Sequence, residues 1–330
     1  MEAIGGGKMH EYPAADEGPH QPGPQENWQE SVVLIWWDSK NAVGGYCRIG
    51  HEPNRSGGGE AAIWTAVHIP GHSYCRNADV PLKPHDRLKN GFGADNGSST
   101  FQYDGQCLWT IKEPEVDLQL RLEDFHPAID GYIKDGKAEL GTIHSNHVEV
   151  AVRVTGTLVA KGKTYNIDGF GMRDHGWGGR DWSACRGHRW SVGAFDRDNS
   201  FCAVTMLLST DEIKRFGWVV RGDKVIYADK IEIVAHMAND CVSNVGGTTM
   251  MALSTGEKFE VKFDPVAPAA PFYHRGVTCV DTLCRMTWGD RVGHGVFETS
   301  TNPQAGVYRP AVFDTGIGVN GWHRTNFPKT

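Results

Sequence analysis

The sequence predicts an all-β protein built from two barrel or sandwich domains, and three observations carry that reading. Short β-branched and aromatic runs recur along the chain, each bounded by turn residues. Glycine stands at 41 of 330 positions, well above the usual ~7%. No tripeptide period absorbs that excess, whereas many tight turns and bulges would. No long segment repeats its apolar residues at helical spacing.

The strands follow in order. Ser31–Trp37 and Tyr46–Ile49 flank a turn at Asn41–Gly45, and Ala61–Ile69 continues the series. Val116–Leu122 alternates strictly, with Val116, Leu118, Leu120 and Leu122 on one face, as a half-buried antiparallel strand does. His147–Ala160 and Thr164–Gly171 form a hairpin around Lys161–Lys163. Trp190–Phe195 with Phe201–Leu208, and Phe216–Val220 with Lys224–Tyr227, read as two more hairpins. Lys258–Phe263, Gly276–Thr282 and Gly295–Thr299 complete the set. The length fits two such domains. Residues 1–27 read as a flexible arm, 28–183 as an N-terminal β-domain and 184–330 as a C-terminal one.

Composition excludes several functions. The net charge is −7 and no basic stripe stands out, so a nucleic-acid surface is not expected. No run approaches the ~18 apolar residues of a membrane span. The first 27 residues are rich in Gly, Pro and His, without the apolar core of a secretion signal. The eight cysteines are irregularly spaced and none is paired as Cys-x-x-Cys, which reads as reduced, mostly buried thiols in a cytoplasmic protein. Gly57–Gly59 lacks a following Lys-Ser/Thr, and no Gly-x-Ser-x-Gly nucleophile is present. His144 and His147, three apart on a strand, face opposite sides, and His68 and His72 bracket a Pro70-Gly71 turn. No metal site is therefore expected. A homodimer stays open.

Chemistry concentrates between Arg173 and Trp182. Arg, Asp, His and Trp are packed there between glycines at 176, 178 and 179, following Gly169 and Gly171. A regular strand sets Arg173, His175 and Trp177 on one face and Asp174 on the other. The glycines leave the facing of Arg180, Asp181 and Trp182 open, because a bulge re-aims side chains. Hairpin pairing brings His147 and Glu149 beside the motif. The competing reading is structural: an Arg180–Asp181 ion pair, tryptophans in the core and a glycine corner. So many ionisable groups beside Gly and Trp are costly to bury for packing alone.

This segment, Arg173-Asp-His-Gly-Trp-Gly-Gly-Arg-Asp-Trp182, resembles the Arg-Asp-His-x-Trp-Gly-x-Arg-Asp-Trp signature of the hydroxyneurosporene synthase/AttH-like family. In carotenoid 1,2-hydratase, its best-known member, the related pattern is His-Asp-His-Asn-Trp-Gly, so Arg173 stands where that protein has His. The resemblance implies two lipocalin-like β-barrels with a hydrophobic cavity and activity without an organic cofactor. It also implies a hydrophobic substrate of isoprenoid, polycyclic or aromatic type. Relatives hydrate isoprenoid double bonds or a plant isoflavonoid, or catalyse Diels–Alder cyclisation.

Hydrating an alkene needs a proton delivered to carbon, a stabilised cation and a guided water. A desolvated carboxylic acid can deliver the proton. Asp174 is the first candidate and Asp181 the second, with His175 as base or as the group orienting the carboxyl. Trp177 and Trp182 offer π-faces to a cation. Arg173, Arg180, His147, Glu149 and Trp190 are expected around the substrate. Two other functions use the same cavity: a non-catalytic carrier of a hydrophobic ligand, and a cyclase or isomerase.

Overall fold

The computed structural model describes residues 17–130, 146–240, 242–302 and 305, and only the backbone of 133–134 and 137–138. Residues 1–16, His144 and Cys241 lie outside the described residues. Among those described, the fold is almost wholly strand: β1 (Trp28–Asp38), β2 (Val43–Glu52), β3 (Glu60–Ile69), β4 (His72–Pro81), β5 (Gly91–Ala94), β6 (Ser99–Tyr103), β7 (Cys107–Glu113), β8 (Val116–Asp124), β9 (Ile129–Asp130), β10 (Ile133–Lys134), β11 (Lys137–Ala138), β12 (Asn146–Ala160), β13 (Lys163–Gly179), β14 (Cys185–Asp196), β15 (Asn199–Leu208), β16 (Ile213–Arg221), β17 (Lys224–Met237), β18 (Asn244–Leu253), β19 (Lys258–Pro265), β20 (Ala270–His274), β21 (Val277–Trp288) and β22 (Arg291–Thr301). The all-β class is as the sequence predicts. No helix among the described residues is long and apolar enough to cross a membrane.

The chain divides into two compact units, with described residues 17–130 and 146–180 in one and those from Asp181 onward in the other. The short β10–β11 hairpin groups with the C-terminal unit, although in sequence it interrupts the N-terminal one.

The N-terminal unit is one antiparallel sheet of eleven strands in the order β4-β3-β2-β1-β13-β12-β8-β7-β6-β5, with β9 on β12. The sheet coils on itself, so the His51 ring on β2 meets the Gly93 carbonyl on β5 at 2.8 Å. Val32, Leu34, Trp36, Phe92, Phe101 and Trp109 fill its interior. Val116–Leu122 alternates buried and exposed along β8, as its apolar period dictates. Lys161 and Gly162 take left-handed φ values of 50° and 73°, giving the tight turn that joins β12 to β13.

The C-terminal unit runs β19-β18-β17-β16-β15-β14-β22-β21-β20, and a further pairing of β19 with β21 closes an eight-stranded ring. Phe201, Phe259, Phe263, Phe297 and Met286 pack inside it.

Two glycines ahead of the motif have a steric reason. A β-carbon at Gly169 or Gly171 on β13 would overlap the carbonyl oxygen of Trp37 or Ile35 on β1. Gly171→Ala is therefore expected to destabilise the fold by about 2 kcal/mol, the usual cost of forced overpacking. Urea denaturation checks this, and an unchanged midpoint would contradict it.

Candidate active site

Strand β13 carries the motif through the N-terminal unit, between β1 and β12. Because side chains alternate, it presents two separate groups on its two faces.

On the face turned from the barrel core, Asp174 pairs in register with Val33 of β1 and Glu149 of β12, while Arg48 on β2 lies opposite Val33. His147 lies opposite Gly176. A β-carbon at Gly176 would overlap both the Arg180 guanidinium and the His147 ring, so this glycine lets the two side chains converge. His147 Nε2 stands 3.9 Å from Asp174 Oδ2 and 3.3 Å from Glu149 Oε1. Arg48 lies over the Trp64 ring at 4.5 Å.

Burial here is expensive. Glu149 is 1% exposed and Arg48 4%. Glu149 Oε2 and both terminal nitrogens of Arg48 are buried without a hydrogen-bond partner among the described residues. Each such atom costs on the order of 1–3 kcal/mol. Desolvation raises the Asp174 carboxyl from 3.8 to about 6, with Glu149 adding to the rise and His147, Arg180 and Arg48 opposing it.

The opposite face holds a second group. His175 Nε2 meets Glu30 Oε1 at 2.9 Å, and His20 Nδ1 meets the same oxygen at 2.6 Å. The His20 backbone N–H also donates to the Glu30 carboxylate, at 3.0 and 3.2 Å. Trp177 stacks on the His20 ring, with centroids 4.1 Å apart and planes within 9°. Phe92 sets its edge against His175 at 5.5 Å. Burial would raise the Glu30 carboxyl, but the hydrogen bonds from His175 and His20 outweigh it and hold it below the ordinary value.

These positions correct four expectations. His175 does not attend Asp174: one residue along a strand is the opposite face, and the histidine beside Asp174 is His147. Asp181 is exposed and caps the short turn at Trp182–Ala184, accepting hydrogen bonds from the Ser183 N–H at 3.0 Å and hydroxyl at 2.5 Å. Trp182 meets His274 edge-on at 6.3 Å, and Trp190 is buried on β14, both within the C-terminal unit. Finally, the arm is not free along its length. Glu17 bonds Arg173, His20 bonds Glu30, and the Gly23 and Gln25 carbonyls accept from Asn54.

Arg173 is 3% exposed and forks onto both Asp124 and Glu17. It borders a cavity of about 570 Å³ whose walls mix Glu17, Asp124 and His126 with Leu122, Phe125 and Pro127. Arg48, Trp64, Glu30 and His20 were not found by sequence reasoning. No short-range pattern marks them, since they reach the site from β2, β3, β1 and the arm.

Fold and site together define a β-barrel protein with a buried carboxylate–imidazole cluster on one long strand. The chain belongs to the DUF7064 family, a domain of unknown function, whose profile matches residues 13–303. It is 30% identical over 162 residues to the ceramide-binding protein svf1 of Aspergillus fumigatus, a match covering 45% of this chain and 40% of that protein. The chain thus spans less than half the length of this curated relative. Among solved structures it is similar to a protein assigned as AttH from Nitrosomonas europaea, with a TM-score of 0.67 and 15% identity over 91% of this chain and 98% of that one. It also resembles kievitone hydratase from Nectria haematococca, with a TM-score of 0.60 and 11% identity over 91% and 96%. The CghA–Sch210972 structure gives a TM-score of 0.59 and 10% identity over 86% and 94%. At these identities the likeness is one of fold.

Proposed function

We propose that the protein is a hydratase, or a related lyase, acting by acid–base catalysis on a hydrophobic isoprenoid, polycyclic or aromatic small molecule. The observation that carries this is the Asp174 carboxyl: desolvated, with its titration pushed up to about 6, and 3.9 Å from His147. Protonated Asp174 gives its proton to one alkene carbon. The Glu149 carboxylate, with one oxygen uncommitted, stabilises the cation left on the neighbouring carbon. Water adds there, His147 accepts the proton it sheds, and a proton returned to Asp174 closes the cycle. Run backwards, the same steps eliminate water. The fold shared with kievitone hydratase supports a hydratase reading.

A second reading is carriage of a long-chain lipid, favoured by the identity to the ceramide-binding svf1. The test is a panel of isoprenoid and prenylated aromatic alkenes incubated in isotope-labelled water. Enzyme-dependent labelled alcohol supports catalysis, and tight binding of panel members or ceramide with no turnover supports the carrier.

A further inference from the structure

The inner face of β13 bears a group that the proposed acid–base steps do not use. His20, Glu30 and His175 come from three separate segments, the arm, β1 and β13, and their donor atoms all lie within 4.8 Å of one another. Two imidazole nitrogens point at the same carboxylate oxygen, at 2.6 and 2.9 Å. We propose that these three residues form a binding site for a divalent first-row transition metal, zinc foremost, inside the N-terminal barrel.

The donor set selects the metal. Two imidazoles and one carboxylate suit zinc and its first-row neighbours, whereas calcium and magnesium favour all-oxygen sites. Zinc bonds of ~2.0–2.1 Å at tetrahedral angles separate ligand atoms by ~3.3 Å. From their contacts of 2.6 and 2.9 Å, the His20 and His175 nitrogens therefore need to draw back from the Glu30 oxygen by about 0.7 and 0.4 Å to admit an ion. Their surroundings hold them in place. Trp177 lies flat on His20, Phe92 braces His175, and the His20 backbone N–H steers the Glu30 carboxylate. The His175 and Glu30 side chains are 1% and 2% exposed, while that of His20 is 22% exposed, which leaves a path for entry on its side. Three protein ligands leave a fourth position for water or another small donor.

The test uses the full chain stripped with a chelator and then titrated with zinc by calorimetry and with cobalt(II) by its visible absorption. The expected result is one equivalent bound through this group, with a higher melting temperature in zinc. His20→Gln lies on the segment before β1, outside the packed core. It should weaken binding by at least the ~10–100-fold that losing an outer-shell partner costs, while leaving the metal-free circular dichroism unchanged. Glu30→Gln should weaken it at least as much. A second group of this kind, His188, Cys279 and Glu298, sits in the C-terminal unit, so His188→Gln serves as the control. Absence of stoichiometric binding overturns the proposal. So does binding that survives both His20→Gln and Glu30→Gln, or binding lost only in His188→Gln.

Discussion

Asp174→Asn is expected to lower turnover by ~10²–10⁴-fold, the usual worth of a positioned general acid, while making the protein more stable at pH 8. The two effects share one cause. Burial raises the Asp174 carboxyl from 3.8 to about 6, so the folded protein holds this proton more tightly than the unfolded chain does. For a folded pKa that is raised, the stabilising contribution is complete below 3.8 and lost as pH rises through about 6. The rise is worth roughly 3 kcal/mol, which the wild type forfeits above that window and asparagine never does. The variant should therefore melt higher than wild type at pH 8 and close to it at pH 4. Wild-type turnover should fall as pH passes about 6 and the acid form is depleted. Turnover and melting temperature measured on one preparation decide the matter. Full activity per folded molecule would remove Asp174 from the mechanism. A large loss of stability at pH 8 would mean that its carboxylate is held by a partner rather than left uncompensated.

What the sequence disclosed follows from how local the signal is. The two-residue period of Val116–Leu122 and the turn glycine at 162 depend on neighbours only, and both are met in β8 and the β12–β13 turn. Strand β4 escaped notice because His72–Pro81 alternates half-buried with exposed side chains that are mostly polar, so no apolar period marks it. At the site, the split of Asp174 from His175 follows from strand geometry. The nearness of His147 and Glu149 follows from the hairpin register. Arg48 and Glu30 depend on which strands flank β13, and β1 lies more than a hundred residues away in sequence. No composition or spacing rule specifies that neighbour.

Arg173→Met is expected to cost about 3 kcal/mol and to loosen the segment before β1. The Arg173 guanidinium is buried, with Nε and one terminal nitrogen on Asp124 at 2.9 and 2.7 Å and both terminal nitrogens on Glu17 at 3.0 and 2.7 Å. Removing one partner of a buried pair costs ~3–5 kcal/mol. The low end applies because the Asp124 side chain is 40% exposed and can rehydrate, whereas that of Glu17, at 13%, cannot do so without moving. Arg173→Lys should recover only part of the loss, since an ammonium cannot fork onto two carboxylates. Glu17→Gln should cost less than Arg173→Met, because the Asp124 fork remains. A protease that cleaves after glutamate reports the second effect. Glu17 and Glu26 lie on the segment Arg173 holds, so cleavage there should quicken in Arg173→Met before the barrel itself unfolds. Stability within ~0.5 kcal/mol of wild type together with unchanged cleavage would show that the arm is held by other contacts. The His20–Glu30 pair would then be the anchor, and the motif arginine would be serving the cavity it borders rather than the fold.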